Sequence, residues 1–273
     1  MNASLAIWGV AIQNFAYAVI VPLFLIIHLS TSPTVSSTSA ADFAVSLADT
    51  LSIPVALTLG YAFPTVLMSL PVPSVLNFST KQNFMAFWQF FPVWVSMLQP
   101  VVAYSVGFIS DRMTSEKKPE PRQKASIETL RSLYILLIAV AGASQISTLS
   151  IITLSELFPS LFAARYVGVM DFSRVFFPQA ITTSAVMSSI GDGAFMLLQY
   201  DEYIGSLSIA TWAAVLLLQT RENHRMSANY PTSIIYGLVI MALTGPLGFA
   251  VACIWARDEL VHGTHVEIDR KSQ

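Results

Sequence analysis

Charge and cysteine are both scarce in this chain. Asp, Glu, Lys and Arg make up 11% of its 273 residues, hydrophobic residues make up 54%, and the net charge is −2. The chain is more apolar than ordinary soluble domains. It has no run of like charge long enough to indicate a nucleic-acid surface. Cys253 is the single cysteine, so an intrachain disulfide is excluded. The composition predicts an integral membrane protein that binds no nucleic acid.

Motifs of the common cofactor and metal sites are missing as well. The sequence has no GxxxxGK[ST], HExxH, GxSxG or CxxC, which removes the usual support for P-loop, zincin, serine-hydrolase and structural-zinc functions. It also has no DDxxD, which a magnesium-dependent enzyme that ionises a diphosphate would be expected to show. The four histidines are scattered among polar joints and the C-terminal tail. We therefore predict neither a metal nor a cofactor.

Long apolar runs separated by short polar joints fill most of the chain. A helix needs about 18 to 25 apolar residues to cross about 30 Å of hydrocarbon. Runs of that length are Leu5–Ile27, Leu51–Leu70, Met85–Ile109, Leu133–Phe158 and Ile234–Trp255. The polar joints are too short for a soluble domain. We predict an all-α fold, a polytopic membrane helical bundle of about seven transmembrane helices, with residues 1–273 forming a single integral membrane domain.

Basic residues and glycosylation sequons give a predicted topology. The densest basic cluster follows the third run and contains Arg112, Lys117, Lys118, Arg122 and Lys124. The positive-inside rule places it in the cytosol and the N-terminus in the lumen, as in the endoplasmic reticulum. The sequons at Asn2 and Asn77 then both face the lumen, which predicts a glycoprotein.

Three points of this topology stay open. If there are seven spans, Arg221 and Arg225 would lie on the lumenal side of the membrane, against the positive-inside rule. The segment Met170–Pro178 could lie at the membrane interface instead of spanning. The first run is predicted to be a retained span, with cleavage near Thr38–Ala41 as the alternative.

Prolines and aromatic residues indicate a cavity. Prolines within the runs are expected to bend their helices, although proline is also common in membrane helices that line no cavity. The prolines within the runs are Pro54, Pro64, Pro92, Pro100 and Pro246.

In the third run, Phe84, Phe87, Phe91 and Trp94 share one helical face. This face could hold a polyene or could form an aromatic belt at the bilayer interface. A second aromatic set surrounds an acidic segment. The predicted substrate-binding residues are Trp88, Gln89, Phe91, Trp94, Tyr200, Tyr203 and Trp212.

Carboxylates within apolar segments are the candidate catalytic groups. Asp192, Asp201 and Glu202 lie in the segment Gly191–Tyr203, and Glu156 lies near the end of the fourth run. Because burial favours the neutral form of a carboxyl, such a group can act as a Brønsted acid. If the segment is one helix, Asp192, Gln199 and Tyr203 share a face and Asp201 points to the opposite side. The alternative is that these acids only mark membrane boundaries.

The chain resembles a known family. A multi-span protein with no cofactor motif, aromatic-rich helices and isolated intramembrane acids is similar to the fungal membrane-bound terpene cyclases of meroterpenoid biosynthesis, and within them to the ascofuranone-cyclase branch. The segments that carry the resemblance are Phe87–Trp94 and Gly191–Tyr203, followed by Trp212. The better-known branch has an Asn-x-x-Trp-Glu type motif in an early span, which this chain lacks, so the catalytic acids of that branch are not carried over.

The resemblance implies an isomerase-type terpene cyclase. A lipophilic substrate, an epoxidised farnesylated aromatic intermediate, would reach the site from the membrane lipids and cyclise through a carbocation after protonation. We expect Asp201 or Glu202 to donate the proton, with Asp192 and Glu156 as further candidates, and aromatic faces to stabilise the cation. A small multi-span transporter or a non-enzymatic membrane scaffold is the alternative, because either would show the same bent helices and intramembrane acids.

Overall fold

A computed structural model describes residues 2–35, 37, 45–113, 119–168, 170–180, 189–224 and 230–272. This part of the chain contains helices and no strand, so the all-α prediction is confirmed. The helices are α1 Asn2–Phe15, α2 Tyr17–Thr31, α3 Leu47–Leu57, α4 Phe63–Ser69, α5 Phe78–Gln89, α6 Phe91–Met113, α7 Pro119–Leu157, α8 Phe172–Phe176, α9 Ile190–Asn223 and α10 Tyr230–Ser272. The predicted cytosolic residues Lys117 and Lys118, the alternative cleavage stretch at 38–41 and Arg225 lie outside the described residues.

Five helical segments are long and apolar enough to cross a membrane, which fits an integral membrane protein. They are Leu47–Ser69, Phe91–Ile109, Glu128–Leu157, Ile190–Asn223 and Pro231–His262. Helix α2 is apolar but only 15 residues long. The expected number of about seven spans is therefore not confirmed.

The prediction of one continuous span over Leu5–Ile27 is wrong. The chain forms α1 and α2 there, separated by Ala16 with φ 75°. A right-handed helix cannot continue through a positive φ, which is uncommon for a residue with a Cβ. No proline or glycine stands at this position, so the sequence carried no local signal for the break.

The prediction of one bent helix over Met85–Ile109 is also wrong. Phe90 leaves helical geometry with φ −91° and ψ 12°, so that α5 ends at Gln89 and α6 begins at Phe91. Pro92 lies in the first turn of α6, where the missing N–H costs no intrahelical hydrogen bond. Pro64 similarly lies at the start of α4, after the π-helical turn Thr58–Ala62. Pro92 therefore begins a helix, Pro64 lies just after a π-helical turn within the continuous segment Leu47–Ser69, and Pro54 and Pro100 lie inside α-helices.

The last predicted span, Ile234–Trp255, folds back on itself. Gly245 has φ 69° and ψ 177° inside α10, which a residue with a Cβ rarely adopts. A Cβ added at Gly237 would lie 3.1 Å from the Phe249 ring, although a straight helix would rise about 18 Å between these two positions. The chain therefore reverses at Gly245, and the run is not a single straight span.

The chain divides into two compact units, which we describe separately. The first comprises Met1–Ala16 and Ser39–Leu133, and in it α1 and α3 both pack against α6. The second comprises Tyr17–Thr38 and Tyr134–Gln273, and in it α9 packs against α2 and α10. Ala213, Ala250 and Cys253 form a small buried cluster between α9 and α10. The prediction of a single domain stays a prediction.

Candidate functional site: a groove between α2 and α9

An open groove of about 440 Å³ lies between α2 and α9 in the second unit. This volume is within the range of about 300 to 1,000 Å³ that is usual for sites of small ligands. Its walls are mostly aliphatic, with two hydroxyls and one indole; the lining residues are Pro22, Leu25, Ile26, Leu29, Ile204, Leu207, Ser208, Thr211, Trp212 and Val215. Such walls fit a lipophilic ligand.

Close helix packing determines where the groove begins. Gly205 faces the Tyr17 ring, and a Cβ added at Gly205 would overlap atoms of that ring. The absence of a side chain at Gly205 thus lets α2 approach α9 directly at this level. Further along α2, Pro22 lines the groove. The two helices are therefore in contact at one end of the groove and leave space beyond it.

Asp201 lies one turn of α9 before Ile204, the first α9 residue of the groove wall, and does not itself line the groove. Its Oδ1 accepts a hydrogen bond of 2.7 Å from the backbone N–H of Ala18, in the first turn of α2. The first N–H groups of a helix have no partner within the helix, and the helix dipole there is positive. Positions 201, 204, 208 and 212 lie on one side of α9 by helical spacing. The Asp201 carboxylate thus caps α2 on the side of α9 that forms the groove.

His28 and Trp212 lie toward the other end. The Trp212 indole N–H donates to His28 Nδ1 at 3.2 Å, and the two rings meet edge to face at 5.3 Å. Trp212 is also part of the groove wall, and its predicted role in substrate binding stays a prediction. His28 was not predicted, because the first apolar run ends at Ile27, whereas α2 continues to Thr31. The apolar Leu29 directly after His28 was the available signal that the helix extends past it.

Glu202 differs from Asp201 in its surroundings. It is exposed and lies about 100° around α9 from Asp201. Across the described residues, no hydrogen bond or ion pair to its carboxylate is found. Of the two preferred candidate acids, Asp201 is therefore the one that is bonded to α2.

A short segment after α7 is fixed to α9 by hydrogen bonds to its backbone carbonyls. Gln199 donates to Arg174 and Val175 at 2.7 and 2.8 Å, and Tyr203 donates to Phe176 at 2.6 Å. Tyr200 donates to the Gln179 carbonyl at 2.6 Å. Helix α8, which belongs to this segment, has five residues and is too short to span a membrane.

Asp192 and Glu156 hold the same segment. Asp192 forms an ion pair of 3.2 Å with Arg174 and accepts a hydrogen bond from Ser189, the N-cap of α9. Glu156 accepts the Phe172 N–H at 3.2 Å. Asp192, Gln199 and Tyr203 therefore share a face of α9, and Asp201 lies on another side, as predicted. The contacts of Asp192 and Glu156 are those of structural groups, and neither residue lines the groove.

A third carboxylate of this region, Asp171, is the N-cap of α8. The hydroxyl of Ser173 donates to it at 2.5 Å, and the Ser173 backbone N–H donates to its other oxygen. These hydrogen bonds, the hydroxyl first, hold the pKa of the Asp171 carboxyl below its usual range. Asp171 thus caps α8, and it does not line the groove.

We expect Asp192→Asn to affect stability slightly and chemistry little. The change removes a half-exposed ion pair, which contributes about 0 to 1 kcal/mol, and keeps an acceptor for Ser189. Turnover per folded molecule should stay near that of the wild type. The measurement compares product yield with the amount of protein in membranes, and a loss of turnover of tenfold or more at an unchanged protein level would contradict a structural role.

The other predicted aromatic residues form a cluster in the first unit. The rings of Trp88 and Phe91 lie 5.4 Å apart, and Tyr61 lies 4.9 Å from Phe91. The Trp88 indole donates to the Thr65 hydroxyl at 2.8 Å. Trp94 stacks on Phe87 at 5.0 Å across the break at Phe90. Tyr61 was not predicted, because only the fold of the π-helical turn brings it to this cluster.

Gln89 is exposed, and the described residues offer its side chain no hydrogen bond. The two aromatic sets belong to different units, so their union in one substrate pocket stays a prediction.

A polar contact that no sequence pattern predicted also lies in the first unit. There Gln99 of α6 donates to the buried Ser52 of α3 at 3.1 Å.

The fold and the groove define a helical membrane protein with an apolar groove of a size and composition that fit a lipophilic ligand. Residues 1–262 match the CtvD domain family, and the chain belongs to that family. The predicted resemblance to fungal terpene cyclases is thereby confirmed.

Three relatives illustrate the similarity. The chain is 28% identical over 271 residues to terpene cyclase ascI of Acremonium egyptiacum, covering 98% of this chain and 66% of that protein. It is 26% identical over 200 residues to terpene cyclase verU1 of Penicillium polonicum, covering 72% and 48%. It is 24% identical over 247 residues to terpene cyclase ctvD of Aspergillus terreus, covering 90% and 65%. The chain thus spans about half to two thirds of the length of these relatives. No solved structure matches it.

Proposed function

We propose that the protein is a membrane-bound terpene cyclase that binds a prenylated aromatic epoxide in the groove between α2 and α9. The relatives that carry the name terpene cyclase support this activity. The observation that carries the assignment of the site is the hydrogen bond that ties Asp201 to α2, one turn before Ile204, where the α9 wall of an apolar groove of about 440 Å³ begins. The groove is apolar enough for a prenyl chain, and the carboxyl supplies an acid.

The proposed reaction is an isomerisation. The Asp201 carboxyl transfers its proton to the epoxide oxygen, the C–O bond to the more substituted carbon breaks, and that carbon becomes cationic. An alkene or a hydroxyl of the same molecule attacks the cation and closes the ring. The final cation loses a proton, which returns to the carboxylate. No atom is gained or lost, and no electrons are exchanged with another molecule.

Asp201 is preferred over Glu202 as the donor because it lies on the side of α9 that forms the groove wall, about 100° around the helix from Glu202. After proton transfer, the carboxylate left at Asp201 accepts the Ala18 N–H and lies at the positive end of α2. Both interactions stabilise the negative charge that the reaction creates. Glu202 has no such donor among the described residues.

The groove walls support the cationic steps. Trp212 offers the aromatic side chain with the strongest attraction for cations, about 0.5 to 2 kcal/mol. The aliphatic side chains that α2 and α9 contribute to the walls keep water from the cation. Water would otherwise trap the cation as a diol.

The membrane setting is part of the proposal. The five long apolar helices fit an integral membrane protein. We propose that it resides in the endoplasmic reticulum, with a lumenal N-terminus and a glycan at Asn77. In the structure Asn77 is exposed and caps α5 through a hydrogen bond from the Thr80 N–H.

Microsomes that contain the protein test the activity. Incubated with a farnesylated phenol bearing a terminal epoxide, they should yield an isomer of unchanged mass and new retention time. Mass spectrometry of the extract measures the product. Microsomes from the same host without the protein are the control. If no isomer forms, the cyclase proposal fails and a transporter or scaffold becomes the better assignment.

A further inference from the structure

The groove ends in a group of polar side chains that the proposed proton transfer does not use. His28 and Trp212 are joined by a hydrogen bond. Arg257 is 6% exposed and donates to the Thr34 carbonyl just beyond α2. Next to it, Asp258 accepts a hydrogen bond of 2.6 Å from a tyrosine hydroxyl of α7. Polar groups within an apolar bundle are costly and commonly mark a functional site.

The hydrogen bond to Trp212 fixes the state of the His28 ring. An indole N–H can only donate, so Nδ1 of His28 must accept and carries no proton. In a neutral imidazole the proton is then on Nε2. The described residues offer no acceptor for this N–H, and His28 is half-buried. His28 does not itself line the groove, but it carries this N–H donor next to two residues that do, Trp212 and Leu29.

The two ends of the groove differ in chemistry. From Ile204 to Val215 the wall follows α9 for about 16 Å. Asp201 lies just before this stretch, whereas Trp212 and its partner His28 lie toward its far end. A molecule with an acid-labile group at one end and an oxygen acceptor at the other would match both ends.

We propose that His28 binds the oxygenated aromatic head of the substrate through its Nε2–H, and so sets the direction in which the prenyl chain lies in the groove. This inference rests on the proposed function. With the head at His28, the prenyl chain extends along the aliphatic walls and its terminal epoxide reaches Asp201. His28 is a positioning residue, and Trp212 assists it by fixing the tautomer.

Two probes separate this role from a structural one. The first is the terminal epoxide of a farnesylated phenol, and the second carries a plain phenyl ring in place of the phenol. Membranes with the wild-type chain, His28→Phe, His28→Gln and Thr31→Ala are assayed for KM and kcat on both. Thr31 is the matched control, because it lies one turn beyond His28 and its hydroxyl bonds to the Ile27 carbonyl of its own helix.

We expect His28→Phe to raise KM for the phenol about tenfold, the effect of losing one hydrogen bond, and to leave kcat within about twofold. KM for the phenyl probe should not change. His28→Gln keeps an N–H donor and should recover much of the affinity, and Thr31→Ala should match the wild type.

Two outcomes would overturn the inference while the proposed function stands. In one, His28→Phe raises KM equally for both probes, as a packing defect would. In the other, it changes neither KM. If the wild-type chain converts neither probe, the proposed function falls and the role of His28 falls with it.

Discussion

Asp201→Asn should lower turnover by about 10² to 10⁴, the usual effect of removing a general acid. The amide keeps a side-chain oxygen that can accept the Ala18 N–H, so the capping contact at the start of α2 can persist. Only the transferable proton is lost. The measurement is product per molecule of protein, obtained from mass spectrometry of the extract and the protein level in the membranes.

Glu202→Gln is the matched control for this experiment. The two carboxylates are neighbours in sequence and neither lines the groove, but Glu202 is exposed, whereas Asp201 is partly buried and bonded to the Ala18 N–H of α2. Its amide variant should retain near wild-type turnover. A collapse of activity in Glu202→Gln with an active Asp201→Asn would transfer the donor role to Glu202. Full activity in both variants would remove this acidic segment from the mechanism.

Gly205→Ala should disrupt the second unit and abolish most of the activity. A Cβ at this position would overlap the Tyr17 ring, so α2 and α9 would have to separate. Overpacking of this kind costs about 1 to 3 kcal/mol, whereas an alanine inside a helix is otherwise favoured by about 0.5 to 1 kcal/mol over glycine. Thermal stability of the purified protein in detergent and turnover in membranes should both fall.

Gly107→Ala is the control, because nothing lies within 4 Å of a Cβ added at Gly107 in α6. It should leave stability unchanged or slightly higher. Combining Gly205→Ala with Tyr17→Ala should restore part of the lost stability, since the second change removes the ring that clashes. Gly205→Ala with wild-type stability and activity would show that the two helices do not need this close approach.

Helix-length apolar runs predicted the all-α membrane fold, but they did not predict where helices break. A helix ends at Phe90, two residues before Pro92, and a proline just after a helix is a recognised signal for a helix end. Ala16 carries no such signal, and its positive φ depends on the packing around it. At Gly245 a glycine followed by proline was available as a turn signal, yet hydropathy alone made the run look continuous.

The faces of α9 could be predicted from the sequence, whereas the roles of its residues in a site stay predictions. Helical spacing correctly separated Asp201 from the face that holds Asp192 and Tyr203, because a face depends only on the rotation of about 100° per residue. It could not show which neighbour each face meets. Ala18 and His28 are distant from α9 in sequence, so their contacts with Asp201 and Trp212 follow only from the packing of α2.

The sequence by itself determined the membrane class, the helical fold and the resemblance to a family, because composition and run length reflect the energetics of apolar segments in a bilayer. Tertiary structure decided which carboxylate is bonded to α2 and which ones fix a surface segment. These choices depend on contacts between residues far apart in the chain, such as Asp201 with Ala18, and local patterns carry no information about such contacts.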